Sequence, residues 1–376
     1  MLLRRHGICA NLRLAPLRLA RLCVVRLCVI SLCVVAAIAW GGVALAQSTL
    51  RYPGAAWDQP GPAQSGWSGE HLAAAQTFSH EIGSAAVVVV QHGAIVTSWG
   101  DTTTNMLLNS ARKSLLSALM GTAVGNGQVH LDDTLALLGI DDVPLALTDA
   151  EKQATVRDLL EARSGIYHAA NYETSDMEAR RPARGSHPHG TYWYYNNWDF
   201  NALGAIYQHA TGTSIFAAFA QQIAAPIGMQ DFNPAQCRYS GGPSSRYPAY
   251  LFYASARDLA RLGLLMLHMG RWQDRQIIPA SWVQESTRSY SVTNRGTGYA
   301  YLWWTLALEG ASRVTAPPGT YWAEGNGGQV LFIVPAYDLV VVHLARYESD
   351  TRGRNGVAIS KVLRLMEIIE GARPAP

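Results

Sequence analysis

The chain is short of the residues that staple a fold covalently. Of its five cysteines, Cys9, Cys23, Cys28 and Cys33 lie in the first 33 residues and only Cys237 lies beyond them. An intrachain disulfide in the body of the protein is therefore excluded, and stability has to come from a hydrophobic core. Lysine is scarcer still: Lys113, Lys152 and Lys361 are the only three among 30 basic side chains. Where this protein needs a cation for solubility it uses arginine, which does not deprotonate, so a lysine at a special position calls for a chemical reason. No internal repeat is visible. Acidic residues are absent from 1–31, where Arg4, Arg5, Arg13, Arg18, Arg21 and Arg26 fall.

Those arginines precede an apolar run from about Leu32 to Leu45 that ends at Ala44-Leu45-Ala46, a small-x-small site. The combination predicts an export signal over 1–46, with the rest of the chain periplasmic or secreted. The alternative is an uncleaved anchor from about Leu22 to Leu45, against which Arg26 counts. In either case the arginines stay inside and the remainder lies outside the cytoplasm. The leader also carries the excess positive charge: without its six arginines the formal charge falls from +3 to −3. A polyanion-binding surface is not expected, and nucleic acid is not an expected partner. Membrane contact is expected only through an uncleaved leader.

Along the body, 47–66 reads as an extended lead-in. Ser68 caps a helix to about Ile82, and a hairpin follows: Ala86–Val90, a turn at Gln91-His92-Gly93, and Ala94–Trp99. The unbroken Val87–Val90 run predicts a strand buried on both faces. Leu115–Val124 is apolar all round and stops at Gly125-Asn126-Gly127. Thr155–Asp158 opens a helix with a capping box, which Ser164-Gly165 closes. Residues 166–190 have no clear period and read as a long loop. Asp199–Ala210, Ser214–Ala225 and a stretch capped at Ser255 running through Leu267 read as helices. A second hairpin, Gln329–Val334 and Leu339–Leu344, and a helix over Val357–Ile369 end the chain.

Strands and a helix at each end, with helices between, predict an α/β (α+β) fold. Its antiparallel sheet is assembled from both chain ends and flanked by helices. The expected division is 67–114 with 290–376 as the sheet domain and 115–289 as a mainly helical insertion.

Three segments carry chemistry. Ser110-Ala111-Arg112-Lys113 places a hydroxyl and an amine one helical turn apart on one face. A serine needs a neighbour to take its proton, and a lysine with a lowered pKa can do so. The alternative is a surface lysine at a helix start. Second is Gly190-Thr191-Tyr192-Trp193-Tyr194-Tyr195-Asn196-Asn197-Trp198, where a phenol beside a lysine would ionise more easily and accept a proton; an aromatic cluster packing a loop is the alternative. Third is Ala323-Glu324-Gly325-Asn326-Gly327-Gly328-Gln329, where glycine at a strand edge allows close approach and a free backbone N–H suits an oxyanion hole.

In that order the three segments resemble the class C β-lactamases, the DD-peptidases and their esterase relatives, over roughly residues 65–370. Leu131-Asp132-Asp133, Thr155–Gly165, Gly190–Gly204 and Ser255–Leu265 agree. The resemblance is nearest to the β-lactamase-related hydrolases that include 6-aminohexanoate-dimer hydrolases and family VIII-type esterases. It implies a β-lactamase/transpeptidase-like fold with Ser110 as nucleophile, Lys113 and Tyr195 as its proton-handling partners, and Asn197 orienting Lys113 and the substrate. It also implies an oxyanion hole from the backbone of Ser110 and Asn326, beside Gly325. No cofactor is implied. One departure stands out. Antibiotic-cleaving members carry Lys-Thr-Gly as the third motif, and here Ala323, Glu324 and Gly325 replace it, so the cation is gone and an acid sits beside the vacancy.

The expectation is an exported serine hydrolase for a carboxylic ester or small linear amide, neutral or carrying a free amine. Its rivals are a DD-peptidase or β-lactamase, and a non-catalytic binding protein of the same fold. His168, His187 and His189 read as solvent-facing rather than metal ligands, His343 as a core histidine, and Asp158 and Asp258 as cap residues. Tyr167, Tyr172, Tyr299, Tyr301, Trp303 and Trp304 are candidates to line an acyl pocket or to be core.

Overall fold

The computed structural model describes residues 50–307, 312, 314–347 and 356–374. The expected leader, 1–46, lies outside them. Among the described residues no helix is long and apolar enough to cross a membrane.

The first half contains α1 (Gly69–Ile82), β1 (Ala86–Gln91), β2 (Ala94–Gly100), β3 (Met106–Leu107), α2 (Arg112–Gly125), α3 (Val156–Leu160), α4 (Ser175–Ala179), α5 (Asn197–Thr211) and α6 (Ile215–Phe219). There follow β4 (Arg238–Gly242), β5 (Ser245–Leu251), β6 (Tyr253–Ala254), α7 (Ala256–Leu267), β7 (Arg271–Trp272), β8 (Arg275–Gln276) and α8 (Ala280–Ser286). The C-terminal part holds β9 (Ser291–Val292), β10 (Gly298–Tyr299), β11 (Trp304–Thr305), β12 (Tyr321–Gly325), β13 (Gln329–Val334), β14 (Leu339–Leu344) and α9 (Ile359–Gly371).

Eight strands form one antiparallel sheet in the order β2-β1-β14-β13-β12-β11-β10-β9. The N-terminal hairpin thus pairs with the C-terminal one through β1 and β14, with Val88 opposite Val342. This is the sheet from both ends that the sequence predicts. Every residue of β1, β13 and β14 is buried, as unbroken valine-rich strands require when helices cover both faces. Helix α7 packs on β14, β13 and β1, while α1 and α9 pack on each other. Ser68 caps α1 by accepting from the His71 N–H at 3.2 Å, and Gly83 closes it at φ 84°. At Gly263 of α7 an added Cβ would lie 2.4 Å from Val340 Cγ1 and 2.8 Å from Leu331 Cδ1. The helix lies on the sheet as closely as it does because that position has no side chain.

Three local expectations change. The helix opened by the Thr155–Asp158 capping box ends at Leu160, not at Ser164-Gly165. Ala162 turns to φ 56° and the Arg163 N–H doubles back to the Asp158 carbonyl at 2.7 Å. The 166–190 segment is not wholly loop: Thr174 caps α4, too short to show a period. Residues 291–305, for which the sequence predicts no element, supply three two-residue strands at the sheet edge.

The close contact of α7 yields a differential test. Gly263→Ala is expected to lose about 1–3 kcal/mol of stability through overpacking, read as a fall in the thermal midpoint. Gly69→Ala, whose added Cβ meets nothing within 4 Å, should leave it unchanged or slightly raised.

Candidate active site

The serine sits on a strained turn. Asn109 takes φ 48°, outside the usual range for a residue with a side chain,. A 3-10 turn over Asn109–Ala111 then leads into α2. Ser110 is therefore just ahead of the α-helix rather than within it, but the three-residue spacing still brings its hydroxyl to Lys113. Asn109 is held from both sides: its amide donates to the Asn326 carbonyl at 2.7 Å and its Oδ1 accepts from the Tyr172 hydroxyl at 3.0 Å. The end of β12 lies against this turn. A Cβ on Gly325 would be 2.2 Å from the Leu108 carbonyl oxygen and 3.0 Å from the Ala111 nitrogen, so the approach requires glycine.

Lys113 Nζ lies 2.9 Å from Ser110 Oγ and 2.8 Å from the Tyr195 hydroxyl oxygen. Its side chain is fully buried, with the rings of Tyr195 and Phe200 at 4.4 and 4.8 Å. Burial first, and then the charge of Arg112, push its pKa well below the usual lysine value. The free amine is the form that can accept a hydrogen bond from the serine hydroxyl.

Tyr195 precedes α5, whose start Asn196 caps by accepting from the Trp198 N–H at 3.0 Å,. The Asn196 amide also bonds Asp199 Oδ1 at 3.1 Å, and Asp199 accepts from the Ser164 hydroxyl at 2.6 Å, so the turn that presents the phenol is fixed. The ring stacks on Trp304, centroids 5.4 Å apart. Burial raises the phenol to about 12, against the hydrogen bond from Ser110 and the charge of Arg112. The expectation that a neighbouring lysine makes this phenol ionise more easily is corrected: burial raises the phenol's pKa and lowers that of the lysine.

The remaining site residues divide. Asn197 does not bond Lys113; its buried amide donates to the Tyr172 carbonyl, where that residue turns at φ 65°, and its Oδ1 has no partner. Gly325 and Asn326 come to the serine as expected and line a cleft of about 890 Å³ together with Ser110 and Tyr195. Glu324 does not face the cleft alone: Arg295 pairs with it at 2.8 Å and lies over the Trp304 ring at 5.3 Å. A cation absent at Ala323 is thus present on the same wall, supplied by the β9–β10 connection. Of the six aromatic candidates, only Trp304 lines the cleft. Tyr299 backs Tyr195, Tyr172 holds Asn109, Tyr167 packs on Tyr194, Tyr301 on Trp282, and Trp303 on Tyr321.

Helix α4 contributes Asp176 and Met177 to the cleft. Its segment is tied down by the Glu173–Arg181 pair at 2.5 Å and by the Tyr194 hydroxyl donating to the Met177 carbonyl at 2.7 Å. The three histidines do not converge. His187 stacks on Tyr192, His189 pairs with Asp158 at 3.0 Å, and His168 faces Glu151 at 3.3 Å. His343 is a core histidine between Ser84 and the Gly328 carbonyl, pushed by burial down to about 4. Asp158 caps as expected. Asp258 does more, accepting from the N–H groups of Gln230, Asp231 and Phe232.

A family model described as Beta-lactamase matches residues 70–363. The chain belongs to the β-lactamase family. Members of this family are in general serine hydrolases, and the chain has their fold. Solved structures agree on the fold. One, provisionally described as a 6-aminohexanoate-dimer hydrolase from Bacillus anthracis, superposes with a TM-score of 0.61 at 18% identity, covering 86% of this chain and 88% of that one. A penicillin-binding protein homologue from Caulobacter crescentus gives 0.61 at 16% identity, with 82% and 99% covered. A β-lactamase from Mycobacterium bovis gives 0.53 at 20% identity, with 77% and 93% covered. No curated protein sequence matches this one.

For this β-lactamase-family site the proton balance predicts a pH profile. Lys113 has a folded pKa below its unfolded value, so it is protonated and inert at low pH. Reaction of Ser110 with a fluorophosphonate should rise with pH through a midpoint well below the ordinary lysine value, and reach a plateau before Tyr195 loses its proton near 12. Lys113→Arg, which keeps a cation but cannot deprotonate, should slow labelling at least ~100-fold at pH 7.

Proposed function

We propose that the protein hydrolyses a carboxylic ester or small linear amide through an acyl-enzyme on Ser110. The observation that carries this reading is the buried Lys113 amine, which touches both the Ser110 and Tyr195 hydroxyls and is pushed towards its neutral form. In the proposed cycle Ser110 Oγ attacks the carbonyl carbon as its proton passes to Lys113 Nζ. The Tyr195 phenol, still protonated, gives its proton to the departing oxygen or nitrogen and regains one from Lys113. Ser110 and Asn326 offer their backbone N–H groups to the developing oxyanion. Water then attacks the acyl-enzyme with the same groups acting in reverse.

The cleft wall supports this choice of substrate class. Ala323 offers no cation, and Glu324 and Arg295 neutralise one another. A net-neutral wall lined by Trp304 and Trp193 favours a neutral acyl group over a dianion and gives an isolated carboxylate little advantage. We further propose export to the periplasm or medium, supported by the arginine-rich start and the Ala44-Leu45-Ala46 site.

The deciding assay compares p-nitrophenyl acetate and butyrate with nitrocefin, using the protein and its Ser110→Ala variant. Ester cleavage lost in the variant, with little turnover of nitrocefin, is expected. Fast nitrocefin cleavage would transfer the reading to a β-lactamase. Absence of Ser110 labelling as well as of turnover would make it a binding protein.

A further inference from the structure

Between the serine and the lysine stands a charge that the cycle above does not use. Arg112 is 1% exposed at the start of α2. Its Nη1 donates to the Asn109 carbonyl at 2.9 Å, whereas Nε and Nη2 are buried with no partner. Among the described residues no carboxylate accepts from it. Two tyrosines flank it instead, with their ring centroids at 5.3 Å (Tyr172) and 5.4 Å (Tyr250) from the guanidinium carbon. An uncompensated buried cation is costly, and an apolar side chain of the same size would fill the space without that cost. Arg112 does not line the cleft, so substrate contact does not account for it either.

Among the described residues the surroundings supply no opposing charge. From the turn before α5, Tyr195 bonds Lys113; within α5, burial raises the Asp199 carboxyl well above its usual value, towards the neutral acid. Tyr250 of β5, Tyr172 of the 166–174 stretch and Tyr299 of β10 are phenols whose burial holds them protonated. Beyond Tyr195 on the cleft wall, Arg295 and Glu324 offset each other. Among the described residues Arg112 is therefore the fixed charge that acts on Lys113 from inside this shell, and Ala323 leaves the third motif without a cation of its own.

We propose that Arg112 is a positioning residue for the nucleophile: a buried, unpaired cation next to Lys113 in the chain and out of the substrate's reach, which adds to burial in opposing a second positive charge at the amine that meets the Ser110 hydroxyl. Arginine suits the task because it keeps its charge when buried, where a second lysine would share or lose the proton. The Asn109 carbonyl aims the guanidinium, so the strained turn that presents the serine also sets the distance of the charge. This inference rests on the reading of Ser110 and Lys113 as nucleophile and base.

The scarcity of lysine makes the test direct. Protein labelled at lysine Cε with carbon-13 gives three side-chain signals, from Lys113, Lys152 and Lys361, and Lys113→Arg identifies the first. In the wild type the Lys113 signal should titrate well below the other two. In Arg112→Met its midpoint should rise by at least one pH unit, about a tenfold gain in proton affinity, with the thermal midpoint held or raised because the lost head group had one hydrogen bond. Arg112→Gln reads the same shift if the Met variant does not fold. A Lys113 midpoint alongside that of Lys361 in the wild type, or one unmoved by either substitution, overturns the proposal; so does a variant that loses stability without moving the midpoint, which would make Arg112 structural. The titration needs no turnover, so failure of the hydrolase reading, seen as absence of Ser110 labelling, is a separate result.

Discussion

Burial of the Lys113 amine between two hydroxyls is the constraint on which the site depends. An ammonium there would be desolvated, and among the described residues no carboxylate pairs with it, so the environment disfavours the charged form,. That one preference assigns the other roles. In the proposed cycle a free amine serves as the base for Ser110, and a phenol near 12 as the acid for the leaving group. The two pKa values are pushed in opposite directions by the same exclusion of water, which suits the lysine to the proposed role of base and the tyrosine to that of acid.

The fold's contribution is to bring three remote segments to that amine. The nucleophile turn follows the N-terminal hairpin, the phenol comes from the middle of the chain, and the Gly325-Asn326 edge comes from the C-terminal strands. The pairing of β1 with β14 and of β12 with β13 brings the first and last to one end of the sheet. Asn109 then clamps them, bonding the Asn326 carbonyl from the residue before the serine. The strain at Asn109 is tolerated because both ends of its side chain are engaged. It keeps the two backbone N–H groups proposed for the oxyanion at a fixed separation.

Much of this was legible in the amino-acid sequence, for reasons that differ from residue to residue. Ser110 and Lys113 are three apart, so local helical geometry alone brings them together. The hairpins were visible because valine runs bounded by turn residues leave few alternatives. Tyr195 reaches Lys113 across 82 residues, a contact no local pattern encodes, and only the order of motifs shared with a family pointed to it. Asn197 was carried over by the same route and shows the limit of it: the helix cap at Asn196 fixes the backbone, but which acceptor the next amide finds depends on the path of Tyr172. Arg295 was missed because β9, β10 and β11 have two residues each and show no period, so nothing local announced that their connection would meet Glu324. The direction of the Tyr195 shift depends on the depth of its burial, which a tyrosine-rich stretch does not reveal. That a side chain at 112 is buried was within reach, since α2 is apolar nearly all round. That its charge would go unpaired was not.

The most direct test of the central claim is a rapid acid quench during turnover of p-nitrophenyl butyrate, followed by mass analysis of the peptide that contains Ser110. The account predicts a butyryl group on Ser110 that accumulates and disappears as substrate is exhausted. Turnover with Ser110 unmodified throughout, or an acyl group carried by another residue, would contradict it.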